Sequence, residues 1–143
     1  MRYKKFNKSQ RGGFRYWFWH WLAFNRTAAQ FRAWQPRHIL HDIEKPWMML
    51  WYRTLTWMWL IPGDPYLYVQ RWHRTHRKHH LEYHDPSRRN WTDMVIDWQC
   101  SVLTKSQCID DAITNARAKL TNNEMTPEEF RRFSKAWADL NRL

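Results

Sequence analysis

The chain has 143 residues, a formal charge of +11, 43% apolar residues, two cysteines and twelve tryptophans. Such a length gives one domain with room for a core, and two cysteines without C-x-x-C spacing exclude a disulfide framework or zinc knuckle, leaving Cys100 and Cys108 as buried reduced thiols. The charge marks an anion-seeking surface open to nucleic acid, anionic lipid or a phosphate-bearing substrate.

Three glycines and six prolines, with few β-branched residues, leave no strand pattern. The expected fold is all-α, a single bundle of six or seven helices around a compact, aromatic-rich core. Residues 1–13, ending in "RGG", read as a basic flexible arm, and residues 14–143 as the helical domain. Nine Lys or Arg and no acidic residue precede Asp42. The aromatic run "YWFWHWLAF" makes a poor signal-peptide core and no small-residue cleavage site follows closely, so a cytoplasmic location is expected.

A first helix is predicted over about Phe14 to Trp34, ending before Pro36, followed by a short helix carrying "RHILHDIEK". Pro46 then opens the aromatic segment "WMMLWYRTLTWMWLI" at 47–61. Fifteen residues with Arg53 among them fall short of the ~20 needed to span a bilayer. They predict a core helix, while Trp and Arg together leave a position in the membrane interface open. "IPGDP" marks a turn. A histidine-rich helix is expected from Tyr66 to about His84, closed by "DPSRRN". Asn90 or Thr92 caps a helix through Leu103, another covers about Ser106 to Leu120, and "TPEE" starts the last with Thr126, Pro127 and Glu129 as a capping box.

Five of the eight histidines lie in "RWHRTHRKHHLEYH", residues 71–84. On a continuous helix His73, His76, His80 and His84 fall within an arc of about 80°, with His79 off that stripe. Imidazole is the commonest metal-ligating side chain, so the stripe points to a metal or phosphate site, with a solvated face as the alternative. His41 and Asp42 are adjacent nitrogen and oxygen donors. His20 sits in an apolar helix, and Asp97 in "WTDMVIDWQC", where an unpaired carboxylate is costly to bury. One metal would satisfy all four at once.

This order of His, His-Asp and Asp resembles the HD-domain superfamily of metal-dependent phosphohydrolases. "HDIEK" at 41–45 and "HHLEYHDP" at 79–86 resemble the branch with an "HDIGK" box and a later double histidine, with glutamate at 44 in place of glycine. They are also similar to a small HD-like family with His-Asp-x-x-Lys, His-His-x-x-Tyr and "DMVIDW"-type boxes. The resemblance implies a helical HD-like bundle in which His20, His41, Asp42 and Asp97 hold a first divalent metal (Mn, Fe, Mg or Zn). It implies that His73, His79 and His80 complete a second metal site or hold phosphate. Asp42 and Lys45 become the catalytic candidates, with Lys45 pairing with the substrate phosphate or protonating the leaving oxygen. Arg74, Arg77 and Lys78 are candidate phosphate clamps, and Glu82 and Asp93 weaker candidates. The expected substrate is a nucleotide or another phosphate ester. Two rivals remain: a basic nucleic-acid-binding protein, read from the basic arm and the tryptophans, and, on the resemblance, an HD-derived binding protein keeping a structural metal.

Overall fold

The computed structural model describes residues 4–7, 10–11, 13–106 and 111–142. Among them are six α-helices and two short 3-10 turns, with no strand beyond one isolated bridge. The helices are α1 (Phe14–Gln30), α2 (Glu44–Trp57), α3 (Pro65–His76), α4 (Trp91–Thr104), α5 (Ala112–Thr121) and α6 (Pro127–Asn141), and the turns Pro36–Leu40 and Pro86–Arg88. The all-α fold class therefore holds.

α4 is the central helix because it is apolar on several sides at once: Met94, Val95, Ile96 and Cys100 are all fully buried. α1, α5 and α6 pack around it. From α1 it receives Tyr16, His20, Ala23, Phe24, Thr27 and Ala28, positions repeating at i, i+4, i+7, i+8, i+11 and i+12, the spacing of one helical face. α5 contributes Ala112 and Ala116, and α6 contributes Phe133 and Leu140. Alanines let the backbones approach, and Phe24 and Phe133 fill what remains.

Capping chemistry sets several boundaries. Thr126 and Glu129 form the expected capping box of α6. Asn90, the first of the two expected caps, accepts from the Asp93 N–H, and Asp64 and Asp111 cap α3 and α5. α1 stops at Gln30, short of Trp34. Arg32 takes a left-handed backbone (φ 52) and the Ala33 N–H returns to the Ala28 carbonyl at 2.9 Å, a Schellman closure.

Four expectations need correction. The short helix expected over residues 37–45 is a 3-10 turn ending at Leu40, with His41 and Asp42 beyond it. The histidine helix ends at His76, so the stripe through His80 and His84 does not form. The aromatic helix is no core helix: α2 packs chiefly on α3 and has no fully buried residue. The core is also poor in tryptophan. None of the twelve is in the buried class, and Trp34, Trp47, Trp51, Trp57 and Trp59 are exposed.

Within the basic arm, Phe6 is buried. Its N–H bonds the Thr104 carbonyl at 2.9 Å and its carbonyl accepts from Ser106 at 3.0 Å. Residues 107–110, with Cys108 and the expected first turn of the fifth helix, lie outside the described residues. Among the described residues no helix is long and apolar enough to cross a membrane.

Phe133 packs on Trp98 with ring centroids 4.9 Å apart and is fully buried. Phe133→Ala is expected to lower unfolding free energy by about 3–5 kcal/mol, and Thr126→Ala by about 1 kcal/mol through loss of the cap. Urea denaturation followed by circular dichroism checks both, and equal losses would contradict this division between core and cap.

Candidate metal centre

The turn after α1 sets the centre's position. Trp21 donates to the Ile39 carbonyl at 2.8 Å, Asn25 to the His38 carbonyl at 3.2 Å, and the buried His38 meets Asp93 of α4 at 3.1 Å. His38 thereby ties the turn to α4, a structural role its sequence context did not reveal. His41 leaves this turn with its ring stacked on Phe24, centroids 3.5 Å apart. Asp42 follows in the left-handed region (φ 58), a conformation that Asp tolerates better than most residues but that still costs of order 1 kcal/mol. That backbone carries the carboxylate inward, where it is almost wholly buried.

Four further elements deliver donors to Asp42. α1 brings His20, whose Nε2 lies 2.9 Å from Asp97 Oδ1 of α4 and 3.8 Å from Asp42 Oδ2. His41 Nε2 is 3.5 Å from Asp42 Oδ2 and 3.6 Å from Asp97 Oδ1. The last turn of α3 brings His73, with Nε2 3.1 Å from Asp42 Oδ1, and the loop after it brings His79 at 3.6 Å from the same oxygen. His80 packs against both, its ring centroid 4.7 Å from that of His73 and 4.5 Å from that of His79. Arg89 stitches the loop by donating to the Leu81 carbonyl and pairing with Glu129, while the Asn90 N–H reaches the Lys78 carbonyl at 2.8 Å.

The donor atoms fall into overlapping trios, each with its atoms within 4.8 Å of one another: His20, His41, Asp97; His41, Asp42, His79; Asp42, Glu44, His73; and His73, His79, His80. Asp42 sits in the middle, one oxygen toward His20 and His41 and the other toward His73 and His79. The single letter that departs from the resembled box, Glu44, belongs to the centre: its Oε1 accepts from His73 Nδ1 at 2.9 Å and from Arg77 Nε at 2.7 Å.

The buried groups fit a cation. His41 Nε2, Asp42 Oδ1, His73 Nε2, His79 Nε2 and His80 Nε2 are buried without a hydrogen-bond partner among the described residues, a cost that native structures rarely leave uncompensated. His73 shows the reason. With its Nδ1 bonded to Glu44, His73 brings Nε2 to within 3.1 Å of Asp42 Oδ1 with no hydrogen bond between them, the placing of two atoms that could share one cation. A carboxylate fixing the far nitrogen of a ligating imidazole is the usual support of a metal-bound histidine.

Electrostatics prepares the same state. Burial pushes His73 down to about 4, Lys45 adds to the shift, and Asp42 and Glu44 only partly oppose it. Burial also lowers His20 against the pull of Asp97, and burial with His79 alongside holds His80 well below its usual range. Burial alone would raise Asp42, but His41, Lys45 and His73 outweigh it and hold the carboxyl well below the ordinary range. Asp97 is held low against burial by its hydrogen bond to His20 and by His41 close by. Neutral imidazoles and ionised carboxylates are the forms in which these groups ligate.

The seven expected metal ligands (His20, His41, Asp42, His73, His79, His80 and Asp97) thus converge, and Lys45 joins them with Nζ 2.5 Å from Asp42 Oδ2. Lys45 reaches Asp42 from the first turn of α2, not along a helix shared with His41. His76 is exposed, stacked on Trp72 at 4.5 Å, and His84 is exposed beside the Thr75 carbonyl. Arg77 is engaged with Glu44. Arg74 meets the exposed Glu82 at 3.4 Å, Lys78 is exposed, and Asp93 serves His38, Arg37 and Asn90. A cleft of about 370 Å³ reaches the centre, lined by His20, His80, Asp97, Lys45, Arg74 and Arg11. Arg11 Nε is itself buried without a hydrogen-bond partner among the described residues, a contribution hidden in what reads as a basic arm.

The protein is expected to bind a divalent metal ion, with Asp42→Ala losing most of the metal and His76→Ala losing none, measured by elemental analysis after desalting. Free metal at a hundred times its Kd should stabilise the fold by about 2.7 kcal/mol. Equal metal content in the two variants would place the ions elsewhere.

No family model, curated protein or solved structure matches the chain.

Proposed function

We propose that the protein is a divalent-metal-dependent phosphohydrolase of the HD type, acting on a nucleotide or other phosphate ester. The observation that carries this reading is the set of unpartnered, buried nitrogen and oxygen atoms around Asp42, reached by a cationic cleft. His20, His41, Asp42 and Asp97 would hold one ion, and His73, His79 and His80 with Asp42 a second. A divalent ion in such a site supplies Lewis acidity toward a phosphoryl oxygen and lowers the pKa of water.

The chain's own residues do the rest. Glu44 fixes the His73 ring by accepting its Nδ1 proton, and Thr104 Oγ1 at 3.4 Å stands at the corresponding nitrogen of His20. Lys45, held beside Asp42 and at the wall of the cleft, is an ammonium and no metal ligand, so its work is on the substrate: it pairs with a phosphoryl oxygen where negative charge accumulates. Arg11 and Arg74 line the same cleft and orient further phosphate oxygens. Arg77 and Lys78 take no part in this reading, the first being committed to Glu44.

Hydrolysis of p-nitrophenyl phosphate and a panel of nucleotides with added Mn or Fe tests the proposal. Lys45→Ala should lower kcat about a hundredfold while metal content stays at the wild-type level, and Arg74→Ala should raise KM more than it lowers kcat. If Lys45→Ala turns over at the wild-type rate, or if no phosphate ester is hydrolysed by metal-loaded protein, the metal is a staple between α1, α3 and α4 and the protein is a binding partner.

A further inference from the structure

The outer face of α2 is independent of the metal centre and unlike an ordinary surface. Trp47, Leu50, Trp51, Trp57 and Met58 follow one another at helical spacing, and each is 52–80% exposed. Ile39, Leu40 and Ile43 extend the apolar stretch before the helix, and Trp59 (94% exposed) and Leu60 extend it beyond. Singly exposed apolar residues are ordinary, but a contiguous band of this kind marks a surface that is covered in use.

Three observations say by what. First, the face is amphipathic in the manner of the bilayer interface, where Trp rings sit at headgroup depth and aliphatic side chains reach the acyl boundary. Its helix is too short to span. Second, the charge around it has one sign. No acidic residue precedes Asp42 or lies between Lys45 and Gly63, and the one carboxylate at the start of α2, Glu44, is committed to His73 and Arg77. Arg53 on α2 shares a cleft with Arg11, Phe14 and Leu50, so cations flank the apolar band. A second copy of this chain would set Arg against Arg with no carboxylate to pair, whereas anionic headgroups complement each cation. Third, that cleft continues from Phe14, Met49 and Leu50 to His20 and Lys45. The apolar face thus opens toward the cationic end of the site.

We propose that the outer face of α2, with the start of α1 at its edge, is a membrane-docking surface for anionic bilayers. The band of Trp, Leu and Met enters the interface, and Arg53 at its edge meets the phosphates. The claim does not depend on catalysis.

Flotation of the full-length protein with vesicles of equal parts phosphatidylcholine and phosphatidylglycerol tests it, beside vesicles of phosphatidylcholine alone and with tryptophan fluorescence as a second readout. Strong partition into the mixed vesicles is expected, with a blue shift of emission, weak partition into neutral ones, and a fall at high salt. Trp47→Ser and Trp51→Ser should each lower partition about tenfold, and Arg53→Glu should lower it on mixed vesicles only. The altered residues are exposed and far from the core, and unchanged circular dichroism and metal content verify that each variant is folded. No partition into mixed vesicles overturns the proposal, as does partition that the Trp variants leave unchanged. A stable dimer that dissociates in Trp51→Ser while vesicles go unbound overturns it in favour of a second copy.

Discussion

A neutral histidine has one ring proton, and His73 lies between two carboxylates. Its Nδ1 meets Glu44 at 2.9 Å, and its Nε2 stands 3.1 Å from Asp42 Oδ1 with no hydrogen bond between them. Much of the architecture within reach serves to keep this meeting in place. α3 ends so that His73 stands on its last turn. The left-handed backbone of Asp42 turns its carboxylate inward, and α1 and α4 close the other side with His20 and Asp97. Buried polar groups left without partners carry a cost that a ligand of opposite charge relieves. A cation shared by these donors would supply the missing partner.

The scaffold is rigid for a reason visible in its core. α1 and α4 approach closely because Ala23, Ala28 and Cys100 are small, and α5 follows with Ala112 and Ala116. The site residues on α1 and α4 are therefore extensions of a packed interface. His20 is one turn before Ala23 and Phe24, and Asp97 one turn before Cys100. The loop from Arg77 to Asn90 lacks such support from regular structure and receives it from Arg89, whose guanidinium bonds the Leu81 carbonyl and Glu129 of α6. A site on helices is precise by packing; one on a loop is precise only by such ties.

What the sequence made legible follows from which interactions are local. The α6 capping box and the Asn90 cap involve residues three apart, and they read correctly. The His-Asp-x-x-Lys segment could be singled out because its donor types are rare together, although its helix was not there. Illegible were the features decided across the chain. Periodicity carried a helix through His84, but the backbone leaves helical geometry at Arg77 (φ −104, ψ 127), and the Arg89 ties that hold the turned loop lie twelve residues downstream. That turn brings His79 to Asp42, packs His80 against His73 and His79, and sends His84 to solvent, which no helical wheel can do. Glu44 was hidden for a related reason: as a departure from a glycine box it looked like a loss, yet it is the partner that fixes His73. The tryptophans misled through composition. Apolar content states how much surface wants covering, but not whether the chain itself supplies the cover.

Charge links the two unusual regions. Around Asp42 three carboxylates, Asp42, Asp97 and Glu44, face two fixed cations, Lys45 and Arg77, so the centre itself is net negative and attracts metal. A divalent ion would reverse the sign, and the cleft walls, where Arg11, Lys45, Arg74, Lys105 and Lys119 outnumber Glu82, Asp97 and Glu124, would then carry a positive field. Such a field draws phosphates, and around α2 the same imbalance continues onto the surface, where an apolar band replaces the carboxylates that ordinarily alternate with arginine. The absence of acidic residues from the first 41 positions thus has a physical consequence at each end of the cleft. Inside, the carboxylates that line the cleft, Glu82, Asp97 and Glu124, all come from later in the chain; outside, no acidic residue between Lys45 and Gly63 stands beside Arg53 to neutralise it.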